Sequence, residues 1–209
     1  MPVLHRRLLT GAALACGLLA LVPVLAQFRA PDDNALATAL RSGGHVILVR
    51  HGATIPEPDD AEPFDFDNIG RQRNLSDKGK ALARDFGAAL RQAGVPVGKV
   101  YTSKFHRAYE TATLAGFTDI ETTADLTLVA KPDEIDGRAA ALRALMSVAP
   151  KPGTNTVLIT HKPNIVDALG EEWSDVREGE ASIFRAQDGR YVLVARVQMA
   201  DWPRIAAAR

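Results

Sequence analysis

Two short apolar runs end in histidine, and that pairing constrains the chain more than any bulk property. Residues 46–49 (Val-Ile-Leu-Val) stop at Arg50-His51-Gly52, and residues 157–159 (Val-Leu-Ile) stop at Thr160-His161. Apolar runs of this length, rich in β-branched residues and leucine and bounded by polar residues, read as strands of a parallel sheet buried on both faces. Open α/β sheets bind their ligands in the crevice outside the carboxyl ends of the strands. A guanidinium and two imidazoles brought to such an edge suit a dianion, phosphate foremost.

The intervening segments fit a layered α/β domain. Residues 33–41 carry Leu36, Ala37 and Leu40 on one helical face, with Asp33 as the expected cap and Gly43-Gly44 as the stop. Ser76 is a natural N-cap, and Leu82, Phe86, Ala89, Leu90 and Ala93 trace a helical stripe that ends at Gly94 and Pro96. A strand near 99–101, a helix near 105–115, a short strand within 120–128 and a helix near 136–149 follow. After His161 the pattern predicts a helix opening at Pro163, then a hairpin of residues 181–185 and 191–197 about Asp188-Gly189. The expected architecture is a three-layer α/β/α sandwich with a mostly parallel sheet, in one domain spanning 27–209. Between Gly52 and Asn74, Pro56, Pro58 and Pro63 stand among six acids with no helical or strand period. That stretch reads as a loop, either solvated surface or a lid over the pocket.

Residues 1–26 read differently. A basic His5-Arg6-Arg7, an apolar run over 8–25 and a small residue at Ala26 form the pattern of a cleaved signal peptide. An uncleaved anchor is the rival reading, since the apolar run approaches bilayer-spanning length. The expected location is periplasmic or secreted, with no stable membrane association after cleavage. Cleavage would also remove Cys16, the sole cysteine, leaving a fold held without disulfides. Lys plus Arg equals Asp plus Glu at 25 each, so no global field points to nucleic acid. A small phosphorylated ligand needs no more than a local cationic pocket.

Phosphoryl transfer is mainly positioning and charge stabilisation. Arg50 offers a planar fork that matches phosphate oxygens, and a neutral imidazole at His51 is a competent nucleophile near neutral pH. A second arginine, Arg107, falls in the first turn of the helix after a strand, where backbone N–H groups favour anions. His45 and His106 read as packing or surface residues, and their spacing does not suit zinc.

Taken in order, Arg50-His51-Gly52 with Thr54, then Leu75-Ser76-Asp77-Lys78-Gly79, then Ser103, Arg107 and Glu110-Thr111-Ala112, then Thr160-His161, resemble the histidine phosphatase superfamily with its phosphoglycerate mutase-like fold. The resemblance covers most of residues 45–198. It implies His51 as the nucleophile that becomes phosphohistidine, Arg50 and Arg107 as holders of the phosphoryl oxygens, and His161 as completing the cationic pocket. Thr54 and Ser103 would line the substrate site, and neither a metal nor a cofactor would be required. The chain departs from the family pattern at the general acid, where Leu126-Thr127-Leu128 lacks the usual glutamate. Glu134 is the nearest replacement, with Asp133 and Asp136 beside it; all three could equally serve to cap the following helix. The expectation is a phosphomonoesterase acting on a small phosphorylated molecule or a phosphoprotein. A phosphotransferase or mutase of the same fold, or a phospho-ligand-binding protein without turnover, are the alternatives.

Overall fold

The two apolar runs lie side by side at the middle of one sheet. Strand β1 (His45–Arg50) pairs in parallel with β4 (Asn155–Thr160), Val46 opposite Thr156 and Arg50 opposite Thr160. The computed structural model describes residues 31–57, 59–60, 62–187 and 190–208. The other strands are β2 (Val97–Thr102), β3 (Ile120–Thr122), β5 (Glu180–Gln187) and β6 (Arg190–Gln198), giving the order β3-β2-β4-β1-β5-β6. The first four of these in sheet order run parallel, whereas β5 is antiparallel to both β1 and β6. The expected sheet and closing hairpin therefore form. The hairpin's turn at Asp188-Gly189 and the leader expected over 1–26 lie outside the described residues.

Alternation along the central strands sends side chains to two separate cores. Ile47, Val49, Val157 and Ile159 pack on one face beneath α1 (Asp33–Arg41), α2 (Asp77–Gln92), α3 (His106–Leu114) and α6 (Trp202–Ala207). Val46, Leu48 and Leu158 pack on the other face beneath α4 (Ile135–Ser147) and α5 (Lys162–Leu169). This is the expected three-layer sandwich. Two local features differ from the sequence reading. Asp32, not Asp33, caps α1, its carboxylate accepting the Ala35 N–H at 2.8 Å. Helix α6 was not foreseen, because six residues carry too little periodicity. Trp202 at its start is nonetheless fully buried, its ring 5.2 Å from that of Phe86.

The Leu75-Ser76-Asp77-Lys78-Gly79 segment docks α2 onto the loop that follows β1. Ser76 caps the helix by accepting the Gly79 N–H at 3.1 Å, and its own N–H and hydroxyl both donate to the Ala53 carbonyl, at 2.9 and 3.1 Å. A β-carbon at Gly79 would collide with that same carbonyl, so the close approach requires glycine. Gly79→Ala is accordingly expected to destabilise the fold by about 1–3 kcal/mol, the usual range for overpacking a tight contact. Thermal unfolding of the variant beside the parent measures this; an unchanged melting temperature would mean that the helix can slide away from Ala53 freely.

Candidate active site

Because β1, β2 and β4 are parallel neighbours, the residues that follow them arrive at one edge. His51, Ser103 and His161 each come directly after a strand. Their backbones are joined there: His51 N–H donates to the Thr160 carbonyl at 3.1 Å, and Ser103 N–H to that of Ile159 at 3.0 Å. Thr111 on α3 accepts the Gly52 N–H at 3.1 Å and donates to the Arg107 carbonyl at 2.7 Å, which binds the glycine after His51 to the helix bearing Arg107. His51, Arg107 and His161 are each 1% exposed.

Their hydrogen bonds fix the tautomers. The Gly52 carbonyl can only accept, so Nδ1 of His51, 2.9 Å away, carries the proton. Nε2 therefore presents its lone pair, and Nε of Arg107 donates toward it at 3.3 Å. In His161 the roles are reversed. Nδ1 accepts from Nη2 of Arg107 at 3.2 Å, and the Nε2 proton is given to the Ser103 hydroxyl at 2.8 Å. Ser103 is fully buried and also accepts the Phe105 N–H, so its hydroxyl orients His161 rather than facing a ligand. The imidazole rings of His51 and His161 stand 5.2 Å apart.

Both histidines are held well below the ordinary imidazole range, first by burial and then by neighbouring cations. For His51 those cations are Arg107, Arg50 and Arg73; for His161 the coulombic partners are His51 and the same three arginines. Burial also lowers the Arg50 and Arg107 guanidiniums, opposed by Glu178 and Asp60 respectively. The folded protein thus holds His51 neutral where an unfolded chain would take up a proton, below about pH 6.5. Titrated by NMR from pH 8 to 6.5, the His51 and His161 ring C–H signals are expected not to move. The linkage has one sign: stability is complete above about pH 6.5 and declines as pH falls below it, since the unfolded chain then binds more protons. Signals that titrate near 6.5 would contradict this environment.

The other sequence candidates are placed as follows. Arg50 donates from Nη1 to the Val176 carbonyl at 2.9 Å and pairs through Nη2 with Glu178 at 3.5 Å. Thr54 gives its hydroxyl to the Glu178 carboxylate at 2.7 Å, so that hydroxyl is engaged within the protein. Glu134 lies in an exposed turn before α4 and pairs with Lys131 at 4.0 Å; no hydrogen bond among the described residues links it to the pocket. Nearness in sequence to the expected motif does not bring it to the strand ends, where it has no partner among the described residues.

Three residues at the site escaped the sequence reading. Glu178 serves Arg50 and Thr54. Arg73, just ahead of α2, adds a third guanidinium whose field reaches both arginines and both histidines. Nε of Arg73 and Nε of Arg50 are buried donors without a hydrogen-bond acceptor among the described residues. Asp60, from the loop read as surface or lid, reaches Arg107 with both carboxylate oxygens, at 2.8 and 2.9 Å. That loop is seated on the site. The rings of Phe64 and Phe66 meet the Phe105 ring at 5.0 and 5.2 Å, and the buried Gln72 accepts the His106 N–H at 2.8 Å. Among the described residues, no group of three or more His, Cys, Asp or Glu side chains is placed to hold a metal ion.

The sequence profile of the histidine phosphatase superfamily (branch 1) matches residues 46–185. No curated protein sequence matches the chain. Among solved structures, the protein histidine phosphatase SixA complexed with tungstate is similar at 19% identity and a TM-score of 0.55, over 75% of this chain and 98% of that one. YhfR of Bacillus stearothermophilus is similar at 17% identity and a TM-score of 0.54, over 72% and 95% of the two chains. Phosphoserine phosphatase of Entamoeba histolytica in complex with 3-phosphoglyceric acid is similar at 15% identity and a TM-score of 0.51, over 74% and 98%. At these identities the likeness is one of fold.

Proposed function

Since the chain belongs to the histidine phosphatase superfamily, branch 1, we propose that it is a metal-independent phosphomonoester hydrolase working through a phosphohistidine at His51. One observation carries this reading: a buried, neutral imidazole whose Nε2 lone pair faces the Arg107 guanidinium at the end of β1. In the first step Nε2 attacks phosphorus, an N–P bond forms, and the bond from phosphorus to the leaving oxygen breaks. Arg107, Arg50 and Arg73 counter the charge on the transferring group. In the second step water attacks the phosphohistidine, returning the lone pair to Nε2 and releasing inorganic phosphate. Dividing one displacement into two in this way is the advantage of covalent catalysis.

The carboxylates at the pocket bear on which leaving groups suit it. Asp60 accepts from Arg107 on both oxygens, and Glu178 accepts from Thr54 and pairs with Arg50. Carboxylates so engaged are occupied as acceptors by groups of the protein itself. The site therefore suits phosphoryl donors with good leaving groups, such as aryl or acyl phosphates or a phosphohistidine, better than simple alkyl phosphates. Export directed by residues 1–26 belongs to the same proposal.

The test is hydrolysis of an activated aryl phosphate by the purified protein in excess chelator. Phosphohistidine, phosphoserine and 3-phosphoglycerate follow as substrates. Chelator-resistant turnover is the expected result. A folded protein that binds tungstate but turns over none of these would instead be a phospho-ligand-binding protein.

A further inference from the structure

The proposed chemistry needs Arg107 to present particular N–H groups to the phosphoryl oxygens, and the structure shows what sets that direction. All five guanidinium N–H groups of Arg107 have acceptors. Nη1 donates to Asp60 at 2.8 Å and to the Arg73 carbonyl at 3.3 Å. Nη2 donates to the other Asp60 oxygen at 2.9 Å and toward Nδ1 of His161 at 3.2 Å. Nε faces Nε2 of His51 at 3.3 Å.

The guanidinium is a rigid plane, so gripping one edge aims the others. Asp60 holds the outer edge, formed by Nη1 and Nη2. The inner edge, formed by Nε and Nη2, is thereby turned toward both histidines. Asp60 is itself held in place: its carboxylate accepts the Arg73 N–H at 3.0 Å, and its side chain is 15% exposed. Nη1 thus has two acceptors, Asp60 and the Arg73 carbonyl, which are joined by the hydrogen bond from the Arg73 N–H to Asp60.

We propose that Asp60 is a positioning residue that aims the inner edge of Arg107 at the phosphoryl group lying between His51 and His161. The inference rests on reading this pocket as a phosphoryl site. The opposite role for an acid at such a place is competition, in which Asp60 occupies the fork that an oxyanion needs. The two roles predict opposite signs. Removing a competitor tightens oxyanion binding, whereas removing a positioning residue weakens it. The geometry favours positioning, because Asp60 takes the outer edge and leaves the inner edge to the histidines.

The experiment uses the full chain and inorganic tungstate, with turnover of an aryl phosphate measured in parallel. Asp60→Ala is expected to weaken tungstate binding and lower kcat/KM by at least about thirtyfold, the low end of what truncating one partner of a buried charge pair costs. In an Arg107→Lys background, which has no fork to aim, the same substitution should have an effect of less than about threefold. A role confined to holding the fold would give equal losses in both backgrounds, and that additivity would overturn the proposal. Tighter tungstate binding by Asp60→Ala would also overturn it, in favour of competition. Should Asp60→Ala fail to fold, Asp60→Asn keeps the volume and loses the charged two-oxygen grip, and the same signs apply to it. If the wild-type chain binds no tungstate, the phosphoryl reading of the pocket falls. If wild type binds and the Asp60 variants match it, positioning alone falls.

Discussion

His51→Ala is expected to hydrolyse an aryl phosphate at least about ten-thousandfold more slowly than the parent, the scale on which loss of a catalytic nucleophile is felt. The substitution removes the Nε2 lone pair proposed as the nucleophile. Nδ1 of His51 is committed to the Gly52 carbonyl, and His161 offers its Nδ1 to Arg107 and its Nε2 proton to Ser103. Arg50, Arg73 and Arg107 remain in the variant, so tungstate should still bind, within about tenfold of wild type. That retained affinity separates a lost nucleophile from a collapsed pocket. A His51→Ala protein that turns over at the wild-type rate would contradict the mechanism outright.

The second large effect is expected at Arg107. Replacing it with alanine should cost about 3–4 kcal/mol of transition-state stabilisation, or 10²–10³ in kcat/KM, comparable to removing one preorganised donor from an oxyanion site. The residue is fully enclosed and satisfies five hydrogen bonds at once, so nothing nearby replaces it. Its removal also leaves the Asp60 carboxylate without its counterion, which adds to the loss. Arg107→Lys restores the charge but not the two-edged fork, and should recover a minor part of the activity. Steady-state kinetics on one substrate decide the matter; near-normal kcat/KM in Arg107→Ala would show that the phosphoryl group is held elsewhere.

What was legible in the sequence follows from how local each signal is. The strands ending at His51 and His161 could be read because a buried strand must be apolar until it meets the edge of the sheet, and both stop abruptly there. The start of α2 was equally readable, since an N-cap serine is a signal local to the helix it opens; the docking of that helix on Ala53 was not. Asp60 and Glu178 could not be found this way. The Asp60–Arg107 pair spans 47 residues and the Thr54–Glu178 pair spans 124, and each acid sits among others of similar appearance. Which carboxylate of an acidic loop turns inward depends on Phe64 and Phe66 seating that loop on Phe105, a contact with no local pattern. Glu134 shows the converse hazard, a residue singled out by its place in the sequence that the fold leaves exposed beside Lys131. Ser103 follows β2 directly, and its hydroxyl is turned beneath His161.

The most direct test of the account is to trap the phosphoenzyme. Wild-type protein mixed with an aryl phosphate, quenched within one turnover and digested under alkaline conditions should yield an acid-labile phosphoryl group on the peptide containing His51. The same group should be missing from His51→Ala. Turnover with no phosphoryl group on His51, or with the group on any other side chain, would contradict the account.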